Sequence, residues 1–388
     1  MRIGIFTNTY SPTVNGVAVS IGNLRSGLEA LGHEVYIFAP APPDFDLDQD
    51  DERIIRFPSF LAPIEADYPI AMPVSAAVNK TLRKLDFDLI HTHHPVWVGV
   101  WGQWYARWSG TPLVTTVHTQ YEIYSKLIPL PDSVVDAFLR VRVSSYCNKC
   151  DLVTTPAESS KKRLLDLGVT TPIEVIYNPT DLSAHQGADG GVVRRQFGIG
   201  CDDIVLGYVG RLAPEKNLNM LLDAAEILLP RDKRLRLLLV GDGPSREAME
   251  KRVKEQALAD RVHFAGNVEH HQVPLYDAAL DMFITPSMSE VQPLSFAEAM
   301  AAGAPVIAMD AAGGNDMVED GVNGRLVPPA EAGAGLARCV TEVLADPLIL
   351  PRMRQQSREW AKRYDKPAVV NRLLEIYDRA ILLSNGRG

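Results

Sequence analysis

The chain lacks any apolar run close to the ~18 consecutive residues that a membrane-spanning helix needs. It is poor in cysteine, with four in 388 residues, which favours reduced thiols over a disulfide framework. It has no basic excess, since the formal net charge is −9, whereas nucleic-acid binders usually carry a basic surface. Its start runs directly into an apolar strand pattern, so we expect no signal peptide. These absences favour a cytoplasmic globular protein that binds no nucleic acid.

The sequence is rich in one pattern, the alternation of short β-branched runs with longer helical periods. This alternation is typical of βαβ units and parallel sheets. A stretch rich in Pro, Gly, Asp and Ser at 178–200 separates a first series of such units from a second one. We therefore predict two doubly wound α/β domains, at 1–178 and 179–364, and a C-terminal helix at 365–388 that crosses back to the N-terminal domain.

The strands expected from this pattern are short. They lie at 2–7, 35–39, 89–92, 113–117 and 152–155 in the first domain, and at 204–209, 236–240, 262–265, 282–285 and 306–309 in the second. Doubly wound domains bind ligands outside the carboxyl ends of their strands. If those ends face each other, the interdomain cleft is the predicted site.

The most informative motif follows the predicted strand at 282–285 and opens a helix. Glu290 lies in its loop and Glu298 lies further on, inside the helix. Backbone amide groups at a helix start are free to bind phosphate oxygens. We predict that role for the segment Val291, Gln292, Pro293, Leu294 and Ser295, in which Pro293 supplies no N–H. The alternative is an ordinary helix with an acidic first turn.

A second motif, Gly210 to Asn217, directly follows another predicted strand. Its Arg211 and Lys216 are two cations that could hold a diphosphate leaving group. One such charge contact is typically worth ~3–4 kcal/mol in the transition state. A solvated loop with ordinary surface charges is the alternative. The nearby Gly241-Asp-Gly243 pattern lacks the third glycine of a dinucleotide fingerprint, so we interpret it as a structural turn.

Histidines at the ends of two predicted strands are a further candidate group. His91, His93 and His94 could suggest a metal site, but no nearby cysteine or carboxylate completes a coordination shell. We therefore predict no metal and no cofactor, and expect these residues to line the cleft. His118, which ends the next strand, is by itself as consistent with a hydrogen-bonded core residue as with a site residue.

Taken in order, the motifs resemble those of the family 4 retaining glycosyltransferases. The resemblance covers nearly the whole chain and is carried by Asn15-Gly16-Val17, His118, Gly210-Arg211…Lys216-Asn217, Gly241-Asp-Gly243, Glu290…Glu298 and Gly313-Gly314. It implies the GT-B fold, two Rossmann-like doubly wound domains facing across a cleft. It also implies metal-independent transfer of a sugar from a nucleotide sugar, with retention of configuration.

The resemblance further implies a role for each matching residue. His118 faces the donor sugar, Arg211 and Lys216 hold the diphosphate, Glu290 contacts sugar hydroxyls and Glu298 holds the ribose hydroxyls. Gly16 allows the first loop to approach the phosphate or the acceptor closely. The chain departs from the family at Val291-Gln292-Pro293, where many members have a Gly-Phe-Gly-like run.

Four of the five tryptophans, Trp97, Trp101, Trp104 and Trp108, recur at helical spacing. We expect this stripe to pack on the N-terminal sheet; the alternative is a membrane-interface surface, where tryptophan is favoured. The apolar and aromatic segment after His118 resembles the corresponding part of family members that glycosylate diacylglycerol. In that interpretation Asn15, His93, Tyr121 and Tyr124 lie at the acceptor site.

We therefore expect transfer of a hexose, glucose from UDP-glucose, to a membrane lipid such as diacylglycerol. The protein would be cytoplasmic and peripheral on the inner face of the membrane. A GDP-mannose donor or a soluble acceptor is the main alternative within this class. A sugar-nucleotide epimerase of the same fold is another, and a non-catalytic nucleotide-binding module is a third. The complete set of Arg211, Lys216, Glu290 and Glu298 argues against the third.

Overall fold

A computed structural model describes residues 1–13, 15–42, 51–62, 65–72, 76–118, 132–288 and 290–386. The chain forms two compact units. Unit 1 comprises Met1–Pro179 with Lys366–Gly388, and unit 2 comprises Thr180–Asp365. Each unit is built on its own parallel sheet.

Unit 1 contains a seven-stranded sheet and a separate two-stranded antiparallel hairpin. Its strands are β1 Arg2–Phe6, β2 Glu34–Pro40, β3 Ile54–Phe57, β4 Ser59–Ala62, β5 Glu65–Ala71, β6 Leu89–Thr92, β7 Leu113–Thr116, β8 Leu152–Thr155 and β9 Ile173–Val175. The sheet order is β3-β2-β1-β6-β7-β8-β9, all parallel, and β4 pairs with β5. The strand order therefore reverses between β1 and β6, where doubly wound folds bind their ligands.

The helices of unit 1 cover both faces of this sheet. They are α1 Gly16–Ala30, α2 Ala76–Leu82, α3 Val98–Ser109, α4 Asp132–Cys147, α5 Glu158–Asp166 and, after unit 2, α14 Lys366–Asn385. Successive side chains of β1 alternate between two cores, as strand geometry requires. Ile5 packs in one core with Leu24 of α1 and Leu373 of α14, and Phe6 packs in the other with Tyr105 of α3. The C-terminal helix is thus part of unit 1.

Unit 2 is built on a six-stranded parallel sheet. Its strands are β10 Ile204–Val209, β11 Leu235–Val240, β12 Val262–Gly266, β13 Met282–Thr285, β14 Val306–Met309 and β15 Gly324–Val327. The order β12-β11-β10-β13-β14-β15 is the 3-2-1-4-5-6 order of the Rossmann fold. The reversal, and with it the expected ligand crevice, lies between β10 and β13.

The helices of unit 2 connect these strands and follow them. They are α6 Gly191–Gln196, α7 Leu218–Leu228, α8 Arg246–Glu255, α9 Val273–Ala279, α10 Leu294–Ala302, α11 Gly314–Met317, α12 Ala332–Ala345 and α13 Ile349–Ala361. Helix α10 follows the edge at which β13 ends, so its start is brought to the expected crevice.

The predicted fold class of two Rossmann-like parallel sheets is confirmed. The sequence pattern did not reveal β3, β9, β15 or the hairpin, which are short strands of three to seven residues. The stretch at 178–200 is not a free linker. The units divide between Pro179 and Thr180, and α6 lies inside the stretch with Val193 buried. Gly190, just before α6, packs so closely on α9 that an added Cβ would lie 2.4 Å from the Ala278 carbonyl.

The expectation that the tryptophan stripe packs on the sheet is wrong. Trp97, Trp104 and Trp108 are 52%, 53% and 62% exposed, and Trp101 alone of the four packs partly against the core. The reason is that α3 turns its small residues inward: a Cβ on Gly102 would lie 2.7 Å from the Phe6 ring. Tyr105 and the small residues of α3 occupy the face toward the sheet, so Trp104 and Trp108 point away from it. Across the described residues, no helix has the length and apolar character needed to cross a bilayer.

The packing of α14 gives a test of its place in unit 1. Leu373→Ala removes a side chain that is 2% exposed and should lower the free energy of unfolding by about 2–5 kcal/mol. Leu382→Ala, in the same helix but 72% exposed, is the matched control and should change it by less than about 0.5 kcal/mol. Urea unfolding followed by circular dichroism measures both. Equal effects of the two substitutions would contradict the buried packing of α14.

Candidate functional site

The candidate site of unit 2 lies where two loops meet at the carboxyl ends of β10 and β13. After β10 the chain forms a short 3₁₀ turn, Pro214–Lys216, and Asn217 then adopts left-handed backbone angles before α7. After β13 the chain passes Ser287 and Glu290 and enters α10. The Lys216 Nζ donates a hydrogen bond of 2.5 Å to Glu290 Oε1, and the Ser287 hydroxyl donates to the same oxygen at 2.8 Å. The structure thus brings together two residues predicted to act at one site.

Glycines make this close approach of loops possible. Gly313 has a φ of +80° and lies directly behind Glu290, where an added Cβ would come within 2.5 Å of the Glu290 Cβ. Gly241 has a φ of +124°, and a Cβ added there would lie only 2.0 Å from the carbonyl oxygen of Gly210. Residues with side chains would push the loops apart at both points. The glycines therefore allow the loops of the site to pack closely together.

Arg211, two residues after the end of β10, lines a cavity of about 310 Å³. Its side chain is exposed, and its carbonyl accepts a hydrogen bond from the buried Tyr208 hydroxyl at 3.1 Å. Burial raises the pKa of Tyr208, and the Glu290 carboxylate raises it further, so this phenol stays a neutral donor. The cavity is lined by the ends of three neighbouring strands, including Gly210, Arg211, Gly241, Asp242, Asn267 and Val268.

The start of α10 completes the site at the carboxyl ends of β10 and β13. Pro293 is the N-cap and Leu294 the first helical residue, and the Phe296 amide bonds back to the Pro293 carbonyl at 3.2 Å. The amides of Leu294 and Ser295 lie in the first turn, before intrahelical bonding begins. Val291 and Gln292 form the approach to the helix, and Pro293 contributes no donor. A helix start close to a lysine forms an anion-binding edge.

Glu298 lies about one turn inside α10, in different surroundings from Glu290. Across the described residues, none donates a hydrogen bond to its carboxyl group. Burial raises its pKa to about 7, the Asp277 carboxylate adds to that rise, and His185 opposes it. His185, Asp277 and Glu298 place one nitrogen or oxygen each within 4.8 Å of one another, close enough to share a metal ion.

The histidines predicted to line the site of unit 1 form a buried cluster at the carboxyl ends of β6 and β7. His91 bonds the Tyr377 hydroxyl at 2.7 Å and the Thr116 hydroxyl at 2.6 Å, so both of its nitrogens serve the core. His93 Nδ1 and His118 Nε2 lie 2.8 Å apart and share a hydrogen bond. His94 packs beside them, its ring centroid 6.0 Å from that of His118.

These four rings are neutral at physiological pH. Burial lowers the pKa of His91 to about 3 and that of His94 to about 4. Burial also lowers the pKa of His93 and His118 well below the ordinary value, and the neighbouring rings add to the effect. A hydrogen bond with Asn178 only partly offsets this at His118. The cluster therefore offers uncharged donors and acceptors.

Two predicted residues lie at the start of α1. The Asn15 side chain caps the helix by accepting from the Ala18 amide at 2.9 Å, and it donates to Thr9 Oγ1 at 2.8 Å. Its polar ends are therefore engaged in the loop. Gly16 has no chain atom within 4 Å of an added Cβ, which leaves open space beside it. Tyr121 and Tyr124 lie outside the described residues.

Sequence reasoning missed His185, Asp277, Ser287 and Tyr208. Ser287 carries a signal, since it lies in the loop that was singled out for Glu290. In the sequence, nothing distinguishes Tyr208 from an ordinary buried strand residue. His185 and Asp277 have no signal, because neither lies at a strand end and they are far apart in the chain.

Both halves of the chain match glycosyltransferase family models. Residues 14–184 match the model described as Glycosyltransferase Family 4, and residues 192–363 match the one described as Glycosyl transferases group 1. The two matches fall on unit 1 and unit 2 respectively. They follow the order in which the motifs occur along the chain.

Curated relatives are similar over most of their length. An alpha-monoglucosyldiacylglycerol synthase from Acholeplasma laidlawii is 29% identical over 97% of this chain and 96% of its own. One from Streptococcus pneumoniae is 31% identical over 84% of this chain and 75% of its own. A GDP-mannose-dependent alpha-mannosyltransferase from Corynebacterium glutamicum is 26% identical over 99% of this chain and 90% of its own length.

A solved structure supports the fold. HepE from Anabaena, crystallised with UDP, superposes with a TM-score of 0.78 at 22% identity, covering 97% of this chain and all of the other. Similarity at this level of identity establishes the architecture. The two family matches, the relatives and the edge formed by Lys216, Glu290 and the start of α10 agree with one another. The chain belongs to the family 4 glycosyltransferases and is a glycosyltransferase with the GT-B fold.

Proposed function

We propose that the protein transfers glucose from UDP-glucose to a hydroxyl of a membrane lipid such as diacylglycerol, with retention of configuration. The observation that carries the proposal is the hydrogen bond between Lys216 and Glu290, just before the start of α10. The names of the two synthase relatives support the sugar and the lipid acceptor. GDP-mannose is the alternative donor, and the mannosyltransferase relative supports it.

In this proposal the anion-binding edge of unit 2 binds the diphosphate of the donor. Lys216, Arg211 and the first-turn amides of α10 neutralise the charge that builds on the diphosphate as the sugar leaves. Glu290, already held by Lys216 and Ser287, accepts hydrogen bonds from sugar hydroxyls. Glu298, which has no donor from the described part of the chain, accepts those of the ribose.

Retention then needs no carboxylate nucleophile. Retaining hydrolases use two carboxyl groups ~5–5.5 Å apart. Here Glu290 is tied to a lysine and a serine, and Glu298 faces Asp277 and His185, so the two have separate tasks. We propose that the leaving phosphate takes the acceptor proton on the same face, that the neutral His118 faces the donor sugar, and that transfer proceeds without a metal ion.

The exposed tryptophans are the proposed contact with the membrane. Trp104 and Trp108 stack with ring centroids 6.4 Å apart and line a surface cavity of about 460 Å³ with Val100, Gln103 and Arg107. Exposed aromatic patches of this kind are unusual on soluble surfaces, and tryptophan partitions to the lipid headgroup region. Because the chain has a net charge of −9, we attribute attachment to aromatic insertion more than to charge.

Donor and acceptor are tested with a panel. UDP-glucose, UDP-galactose and GDP-mannose are each offered with vesicles containing diacylglycerol, and released nucleotide and lipid product are measured. We expect an α-glucosyl lipid from UDP-glucose, formed equally well in EDTA. A β-linked product would contradict retention, loss of activity in EDTA would contradict metal independence, and a mannosyl lipid from GDP-mannose alone would establish the alternative donor.

Replacement of Lys216 tests the diphosphate contact. Lys216→Ala should lower the transfer rate at least ~10²-fold, because one fixed charge at the leaving group is lost. Lys251→Ala, which removes an exposed lysine of α8, is the matched control and should leave the rate unchanged. Near-normal turnover of the Lys216 variant, with thermal unfolding like that of the wild type, would remove Lys216 from the site.

The membrane contact is tested by sedimentation with lipid vesicles. Trp104→Ala/Trp108→Ala should lower vesicle partitioning by about tenfold, with little effect of added salt on the wild type. Leu348→Ala, which removes an apolar side chain that is 76% exposed in unit 2, is the control and should partition normally. Unchanged partitioning of the double variant would reject the tryptophan patch as the membrane contact.

A further inference from the structure

A buried histidine–aspartate pair lies close to Glu298, in a part of unit 2 that the proposed transfer does not otherwise use. His185 comes from the segment before α6, Asp277 from α9 and Glu298 from α10. His185 Nε2 lies 3.3 Å from Asp277 Oδ2, and the two residues are 3% and 1% exposed. The three side chains converge within 4.8 Å although the chain separates them widely.

Burying this pair lowers the stability of the fold, so its presence needs an explanation. A carboxylate and an imidazole removed from water lose their hydration, and one ion pair of 3.3 Å restores only part of it. Asp277 lies on the inner side of α9, beside the buried Pro274 and Tyr276, where an apolar residue would pack without that cost. The third member of the group is Glu298, which has no donor from the described part of the chain.

We propose that His185 and Asp277 are positioning residues that orient the Glu298 carboxyl group for the ribose hydroxyls of the donor nucleotide and together set its ionisation, His185 favouring the carboxylate and Asp277 opposing it. The inference rests on the proposed donor site. With His185 protonated, the pair is neutral, and its positive end offsets the burial of Glu298. Without His185, Asp277 would present an uncompensated negative charge to Glu298, and Glu298 would take up a proton.

The other elements packed on α10 contribute little competing charge. Strand β14, Val306–Met309, has no ionisable side chain. Helix α13 contributes Arg358, whose guanidinium donates to the Ala302 carbonyl at the far end of α10. In the segment before α6, Asp181 is bound by the Ser183 hydroxyl at 2.6 Å and also supports His185 through its backbone. The state of Glu298 is therefore governed by its two neighbours.

The sign of the effect follows from the three groups. Burial and Asp277 raise the pKa of Glu298 to about 7, so its carboxylate form is lost as the pH falls below that value. Burial lowers the pKa of His185, but Asp277, Glu298 and the Asp181 backbone together outweigh it, so the net pKa is raised. Burial likewise raises the pKa of Asp277, against the influence of His185. Donor affinity that depends on ionised Glu298 should therefore weaken as the pH falls through about 7.

The experiment measures the affinity of UDP-glucose and GDP-mannose by calorimetry between about pH 5 and about pH 9. Sugar nucleotides are suitable probes because their diphosphate has no terminal phosphate proton, which in a phosphate monoester titrates near about 6. His185→Gln should move the midpoint of the affinity curve up and weaken binding at neutral pH by about tenfold. Asp277→Asn should move the midpoint down, and Glu298→Gln should give a flat, weak curve.

The inference predicts that the midpoints of His185→Gln and Asp277→Asn move in opposite directions. General damage to the fold would instead weaken binding at every pH. The double variant His185→Gln/Asp277→Asn should return the midpoint toward that of the wild type. If His185→Gln does not fold, the test rests on the nearly isosteric Asp277→Asn variant alone. The midpoint of its affinity curve should move down. Midpoints that do not move would overturn the inference.

Two further outcomes are distinguishable. If neither sugar nucleotide binds the wild type at any pH, the proposed donor site fails, and the inference fails with it. If mass spectrometry of the native protein finds one metal ion that Asp277→Asn loses, the three residues form a metal site and the positioning role is overturned. A metal-free protein with opposite midpoint shifts supports the inference.

Discussion

The ion pair between Lys216 and Glu290 is the interaction on which the site of unit 2 depends. It joins the loop after β10 to the loop after β13, which are neighbours only because the strand order reverses between these strands. The Ser287 hydroxyl fixes the same carboxylate oxygen from a second side. Gly313 supports it from behind, with no room for a side chain. A charged pair held in this way has little freedom to reorganise, which is what electrostatic stabilisation of a leaving group requires.

The two units offer different chemistry. Unit 2 presents fixed charges at a helix start, suited to an anionic diphosphate. Unit 1 presents four buried histidines whose low pKa values leave them uncharged, with His93 and His118 bonded to each other. Neutral rings can donate and accept hydrogen bonds without attracting ions. Unit 2 thus offers charge to an anion, whereas unit 1 offers uncharged hydrogen-bonding groups.

The two carboxylates of the same motif illustrate how surroundings separate similar residues. Glu290 is bound by a lysine and a serine, whereas Glu298 is desolvated, faces a second acid and has a pKa of about 7. Burial opposes the charge of a carboxylate and a nearby cation supports it. Identical side chains on one loop and helix therefore differ in charge and in the partners they can bind.

The sequence by itself determined the two βα series, five of the six strands of the second sheet and the motif residues at their carboxyl ends. Apolar periodicity and turn chemistry are local properties, so a single sequence carries them. Only the tertiary structure decided that the tryptophan stripe faces outward, because that depends on Gly102 packing against Phe6 of another element. Only the fold, likewise, could bring His185 and Asp277 to Glu298. Such contacts arise from the packing of distant segments, and no periodicity along the chain encodes them.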